Sequence, residues 1–279
     1  MKTIAVLIWL KVIVMILAVL VVLYLLMLMP RLTNRRERKK FLNVYYAHRG
    51  LHDNETDAPE NSMSAFRRAV EAGYGIELDV QVTKDKIPVV FHDFTLQRVC
   101  GQEGKVCDYT YEELQKFRLC KSSETIPLFE DVLKLVAGKV PLIVELKVEF
   151  TDLSVCEKAD ALLRKYKGLY CMESFNPLVV FWYRRHHKEV VRGQLAEAFL
   201  RTGEFKGPLY FILQNLLLNF LTKPDFVAYN HKHADVLSRK ICRDLYGNMA
   251  AAWTIKSQQE LDEAKKHFDV FIFDSFIPD

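Results

Sequence analysis

Several charged residues sit where core packing gives no reason for them. His48 and Arg49 close the apolar run "VYYAHR", Glu77 and Asp79 lie inside "GIELDV", and His92 and Asp93 end "PVVFHD". Further along, "PLIVELK" carries Glu145 and Lys147, and "CMESF" carries Glu173 and Ser174. Residues two apart on a strand point to one face, so Glu77 and Asp79 share a side, and Glu145 and Lys147 repeat the spacing. Three inward carboxylates repel one another unless a cation joins them, and hard oxygen ligands suit Mg²⁺ or Ca²⁺. Glu60, in "APENS", is a candidate fourth ligand or a partner to one of the three. The same residue types also admit a salt-bridged network of Glu145 with Lys147 and Arg49. Two histidines beside a metal-bound anion suit acid–base work near neutral pH. Arg49 as a fork and Lys147 as a point charge would hold such an anion.

These residues need elements that bring them together. Short runs rich in Val, Ile, Tyr and Phe predict strands at 44–48, 75–82, 87–92, 141–147, 169–173, 190–196, 226–230, 250–255 and 269–274. Amphipathic stretches such as "SMSAFRRAVEAG", "SVCEKADALLRKY", "PLVVFWYRRHH" and "SQQELDEAKKHF" lie between them. The first places Met63, Phe66, Ala69 and Val70 on one face and stops at Gly73. Such alternation predicts parallel pairing, and an eight-stranded α/β barrel fits the length. Nine strands for eight places require one exception. The "TKDK" link between 75–82 and 87–92 is too short for a parallel crossover, so that pair should be an antiparallel hairpin bringing Asp79 towards His92. An open doubly wound sheet is the alternative, without a glycine-rich phosphate loop to support it. In a barrel, the carboxyl ends of the strands form the active-site mouth.

The chain has 279 residues, half of them hydrophobic, and a net charge of +4, too little to indicate nucleic acid. Residues 4–29 contain Lys11 as their one charge. A run of this length can cross a bilayer, which needs about 20 residues. It ends in "LMLMP" without an A-x-A-like site, so a retained anchor over residues 1–30 is expected rather than a cleaved signal peptide. "RLTNRRERKK" follows, and the positive-inside rule then puts residues 31–279 in the cytoplasm, with 31–43 as a basic linker near the headgroups. The six cysteines form no CxxC pair and read as free thiols. "PLYFILQNLLLNFL", residues 208–221, is apolar almost all round. It reads either as an outer helix buried under other structure or as a helix lying in the membrane interface.

Taken in order, "AHRG", "APENSMSAFRRAVEAGYGIELDVQVTKDKIPVVFHDFTLQR", "IPLFEDVL", "IVELK", "ESFNP" and "AAWTI" resemble the glycerophosphodiester phosphodiesterase family over about residues 44–279. The resemblance implies a (β/α)8 barrel of the phospholipase-C-like phosphodiesterase kind. It also implies metal-dependent cleavage of a glycerophosphodiester to glycerol 3-phosphate and an alcohol. His48 and His92 match the family's paired catalytic histidines; Glu77, Asp79 and Glu145 match its metal carboxylates, with Glu60 close by. Arg49 matches the phosphate-binding residue, while Lys147 and Trp253 match positions near the phosphate and the organic part of the substrate. There are departures. Ser62 stands where Thr is usual, "FIFDSF" replaces the usual ending while keeping Asp274, and "GLHDNETDAPENS" is longer and more acidic. In that loop His52, Asp53, Glu55 and Asp57 are expected to be solvated.

The expected protein is therefore a membrane-anchored phosphodiesterase acting on glycerophosphodiesters or lysophospholipid-like substrates. A catalytically silent lipid-binding barrel, and a barrel phospholipase for another head group, are the competing readings. Loss of hydrolysis on removing His48 or Glu77 separates the first from the second; product analysis separates the third.

Overall fold

The computed structural model describes residues 2–203 and 206–279. Eight parallel strands close a barrel: β1 (Tyr45–His48), β2 (Gly75–Val82), β4 (Leu142–Leu146), β5 (Tyr170–Ser174), β6 (Arg192–Ala196), β7 (Phe226–Asn230), β8 (Met249–Ile255) and β9 (Val270–Phe273). Pairing of β1 with both β2 and β9 closes the ring. The ninth strand, β3 (Pro88–Val90), pairs antiparallel with β2 outside the ring, as the short link demanded. The Phe91 amide donates to the Asp79 carbonyl at 2.9 Å, so the hairpin delivers His92 to the side of Asp79.

Alternation along each strand separates packing from chemistry. On β2, Ile76, Leu78 and Val80 face outward and pack with Phe66 of α2 (Met63–Glu71), with Phe129 and Val132 of α3 (Phe129–Val136), and with Ala159 of α4 (Ser154–Leu163). The barrel interior is filled by Tyr46, Ile143, Cys171, Leu195, Phe226 and Ile272. One step towards the carboxyl ends, the inward positions become His48, Glu77, Asp79, Glu145 and Glu173. Register aligns them: His48 opposes Glu77, Asp79 opposes Glu145, and Glu145 opposes Glu173. The α2 helix starts where expected, with the Ser62 hydroxyl accepting from the Ala65 amide at 3.1 Å, and ends before Gly73 in the left-handed region.

The N-terminal helix α1 (Lys2–Leu28) is long and apolar enough to cross a membrane, and from Ile4 to Leu23 its side chains are almost all exposed. Its last turn belongs to the barrel. Leu28 is fully buried; the Leu28 carbonyl accepts from Asn219 at 3.2 Å and the Leu25 carbonyl from the Tyr246 hydroxyl at 2.7 Å. Residues 31–43 fold against the barrel end that lies before β6 and β7. There Arg31 reaches the Lys188 carbonyl, buried Arg38 donates to the Asp225 carbonyl, and Phe41 is buried.

The segment 208–221 differs from the expected single helix. It divides into α5 (Pro208–Gln214), none of whose residues is buried, and a short turn over Asn219–Thr222, with Leu216 at φ 56° between them. The break turns Leu216 and Asn219 inward, where Asn219 secures α1, and leaves Leu209 58% and Phe211 52% exposed. The reading as an outer helix buried under other structure does not hold for α5.

Gly50 adopts φ +84° directly after His48 and Arg49, and a Cβ there would lie 2.9 Å from the Ala65 carbonyl carbon. Gly50→Ala should therefore cost about 2 kcal/mol through backbone strain and overpacking against α2. Thermal unfolding in detergent reads this directly, and an unshifted midpoint would mean that α2 yields freely.

Candidate active site

The site is built from the strand ends upward. His48, last residue of β1, has Nε2 3.9 Å from Glu77 Oε2 and Nδ1 3.1 Å from Asp274 Oδ2, which follows β9. Arg49 turns through a left-handed conformation, so its amide donates to Glu77 at 3.2 Å while its guanidinium donates to Glu60 at 2.7 Å and stands 3.7 Å from Asp79. Asp79 also accepts from the Asn61 amide at 2.9 Å. Lys147 Nζ bridges Glu145 at 3.1 Å and Asp79 at 3.5 Å. Gln81 donates to the carbonyls of Phe91 and Asp93 at 2.8 and 2.7 Å, which fixes the β3 return and hence His92. His92 Nδ1 lies 2.5 Å from Asp93 Oδ1.

One oxygen each from Glu77, Asp79 and Glu145 lies within 4.8 Å of the others. Burial pushes the Glu77 carboxyl well up, and the neighbouring Asp79 and Glu145 charges push it further. Burial also raises Glu145, despite Lys147. For Asp79, burial is outweighed by His92, Lys147 and Arg49, which hold it well below the usual carboxylate range. Asp79 Oδ1 is buried without a hydrogen bond. Three converging carboxylate oxygens, with the Glu77 carboxyl raised by burial and by its like-charged neighbours, fit a hard divalent cation. The salt-bridged network read from the sequence is also present, because Lys147 and Arg49 contact the same carboxylates. The two arrangements share residues, and only part of the negative charge is balanced by the two cations.

Glu60 stands apart from that triad. It is clamped by Arg98 through two bonds of 2.7 Å, by Arg49 and by Asn54 at 2.9 Å. These partners overcome its burial and bring its carboxyl down to about 2. Arg98 also grips Asp93 at 2.6 and 2.9 Å, so one guanidinium ties the wall that carries Arg49 to the wall that carries His92. Nothing in the local pattern around "LQRVC" marked this residue.

Trp253 and Phe175 meet edge to face at 5.6 Å and line one small cavity with His48, His92, Glu145 and Glu173. Glu173 is 1% exposed, and its Oε2 has no hydrogen-bond partner. Burial and the Glu145 charge hold its carboxyl well above the usual range. Its place at a strand end, in register with Glu145, was the available signal for including it in the site. Asp53, Glu55 and Asp57 are exposed, as expected, but His52 is not solvated. Its ring is 11% exposed and lies 3.3 Å from Asp274. That contact exists because barrel closure brings the chain's end beside β1, which loop composition does not reveal. Asp274 answers both histidines, which outweigh its burial and hold its carboxyl far down.

The Glycerophosphoryl diester phosphodiesterase family matches residues 48–266, and the chain belongs to this family of phosphodiester hydrolases. Human Glycerophosphodiester phosphodiesterase 1 is 27% identical over 278 residues, covering 84% of this chain and 78% of the relative. Rat Lysophospholipase D GDPD1 is 34% identical over 161 residues, covering 53% of this chain, which spans about half (49%) of that relative. The fold is shared with an Oleispira antarctica phosphodiesterase solved with the product sn-glycerol-3-phosphate. The TM-score is 0.67 at 22% identity, covering 84% of this chain and 94% of that one.

The Glu60 clamp has a pH signature. Its carboxyl ionises near 4.5 when unperturbed and near 2 when folded, so its stabilisation is complete above pH 4.5 and fades as pH falls towards 2. Glu60→Gln should be less stable than the parent at pH 7, with the gap narrowing across that window. Thermal unfolding midpoints measured from pH 7 to pH 3 test this. A gap independent of pH would remove the ionic clamp.

Proposed function

We propose that this protein hydrolyses glycerophosphodiesters, including lysophospholipid-like ones held in a membrane, to glycerol 3-phosphate or a lysophosphatidic-acid-type product and an alcohol. The observation that carries the reading is the convergence of two carboxylate-held histidines, a carboxylate triad and two cations at the carboxyl ends of neighbouring barrel strands. Asp274 engages Nδ1 of His48 and Asp93 engages Nδ1 of His92. A carboxylate partner keeps the proton on Nδ1, so each ring turns a free Nε2 towards the cavity. One histidine takes the proton of the attacking hydroxyl, and the other returns a proton to the departing alkoxide. Arg49 and Lys147 bind the phosphoryl oxygens and oppose the charge that develops on them. Glu77, Asp79 and Glu145 would hold Mg²⁺ or Ca²⁺, which when bound supplies further charge neutralisation at the phosphate. The Trp253 and Phe175 rings provide an apolar wall for the organic part of the substrate.

His48→Ala or Glu77→Gln should lower kcat by about 10³-fold, as loss of a positioned acid–base group or of a metal carboxylate does. The assay is product release by the full-length protein in detergent from glycerophosphocholine, glycerophosphoethanolamine and a lysophospholipid, with Mg²⁺, Ca²⁺ or chelator. Unchanged rates in either variant, or in chelator, would sink the reading.

The organisation we propose is an anchor over residues 1–30, a basic linker over 31–43 and a catalytic barrel over 44–279, cytoplasmic and attached to the membrane by one span. Burial of Leu28 within the barrel supports a retained anchor, since cleavage after the helix would remove a core side chain. With α1 in the bilayer, the wall beside its last turn lies at the membrane surface. Leu209, Phe211, Phe220 and Leu221 are exposed on the segment that holds that turn, as an interfacial contact requires. The double variant Leu209→Asp, Phe211→Asp should reduce turnover of vesicle-embedded lysophospholipid about tenfold or more while sparing soluble glycerophosphocholine. Equal effects on both substrates would place this segment off the membrane.

A further inference from the structure

His48 lines the catalytic cavity, and the Asp274 that contacts its Nδ1 lines a second cavity of about 570 Å³. Leu51, His52, Arg68, Asp274 and Phe276 line this second space, which opens between the 50–54 loop and the end of the chain. Asp274 stands between two imidazoles, Oδ2 3.1 Å from His48 Nδ1 and Oδ1 3.3 Å from His52 Nε2. One nitrogen from each ring and one Asp274 oxygen lie within 4.8 Å of one another. The dyad of His48 with Asp274 explains two of the three residues. It does not explain the burial of His52, whose Nδ1 is shielded from water with no partner and whose Nε2 has only Asp274 Oδ1 beside it, at 3.3 Å.

A pair of imidazoles with one carboxylate is a borderline donor set. It suits Zn²⁺ and its neighbours, whereas the all-oxygen triad across the ring suits Mg²⁺ or Ca²⁺. Bonds of about 2.0–2.2 Å in tetrahedral geometry put ligand atoms roughly 3.3 Å apart, so the three groups, now within 4.8 Å of one another, would close in slightly on an ion. Three protein ligands would leave a fourth position open to water from the second cavity. We propose that His48, His52 and Asp274 form a second metal site for a divalent transition metal such as Zn²⁺, and that loading it switches hydrolysis off. Coordination at His48 Nδ1 selects the tautomer with its proton on Nε2. The nitrogen facing Glu77 then has no lone pair with which to accept a proton. The site's inhibitory role rests on the reading of His48 as a proton-transfer group; its binding of metal does not.

The test uses the full-length protein in detergent with excess Mg²⁺, glycerophosphocholine as substrate, and buffered Zn²⁺. Hydrolysis by the parent should fall to a tenth or less, and further Mg²⁺ should not restore it. His52→Asn, which keeps a polar side chain of similar reach, should need about tenfold more Zn²⁺ or beyond for the same loss. Binding is read separately with Co²⁺: visible absorption bands of a low-coordinate nitrogen-ligated ion should appear in the parent and in Glu77→Gln and vanish in His52→Asn. Identical Co²⁺ bands in parent and His52→Asn, or Zn²⁺ inhibition that Mg²⁺ relieves, would overturn the site. Co²⁺ bands lost in His52→Asn but without Zn²⁺ inhibition would overturn the switch, and with it the assignment of His48 as the proton acceptor. A parent inactive on every diester tested would fail the proposed function alone, because the Co²⁺ bands would still decide the site.

Discussion

Like-charge repulsion inside the barrel mouth is the constraint around which the rest is arranged. Glu77, Asp79, Glu145 and Glu173 occupy adjoining inward positions on three neighbouring strands and are buried. No apolar packing would compensate four ionised carboxylates in that volume. The molecule answers with Lys147 bridging two of them, with Arg49 against Asp79, and with Glu77 and Glu173 held above their ordinary ionisation. Charge left over in this way is a standing demand for a cation. A doubly charged ion would relieve this repulsion far better than a water molecule can.

Arg49 and Arg98 perform a second function through Glu60. Arg49 is committed to Glu60 and shared with Asp79, and Arg98 holds Glu60 and Asp93 together. The loop after β1 and the return after β3 are thereby locked to one another, each carrying a histidine beside it. The separation of His48 and His92 is therefore set by side chains buried or half-buried at the rim rather than by strand hydrogen bonds alone. The ion pairs of Arg49 with the inner carboxylates and those that hold the two histidine-bearing loops together are one network.

How much of this could be read beforehand depended on the range of the interaction. All nine strands, the hairpin exception and the inward pairs Glu77/Asp79 and Glu145/Lys147 follow from local alternation and link length, which operate within a few residues. Glu173 was visible as a strand-end charge, but its partnership with Glu145 required the register between β4 and β5. His52 and Arg98 escaped because their partners come from elsewhere in the fold. Asp274 is 226 positions from the His48 it orients, and Glu60 is 38 positions from Arg98. The 208–221 segment misled for the opposite reason. Its composition is continuous, while its conformation is broken at Leu216 by the need to bury that residue and to satisfy the end of α1.

That break also explains how a soluble-type barrel is coupled to a hydrophobic helix without a slack tether. The final carbonyls of α1 would otherwise be orphaned at the helix end. Asn219 supplies a donor to Leu28, Lys223 one to Met29 and Tyr246 one to Leu25, all from segments that precede barrel strands. The helix end is thus capped by the barrel itself, and the orientation of the barrel relative to α1 is fixed by hydrogen bonds as well as by the buried Leu28. A flexible tether would let the mouth sample every direction. A capped and packed one confines it to a narrow range of heights and tilts. With α1 spanning a membrane as proposed, a diester at its surface would meet a barrel held in one orientation, with part of the orientational cost of binding met by the fold.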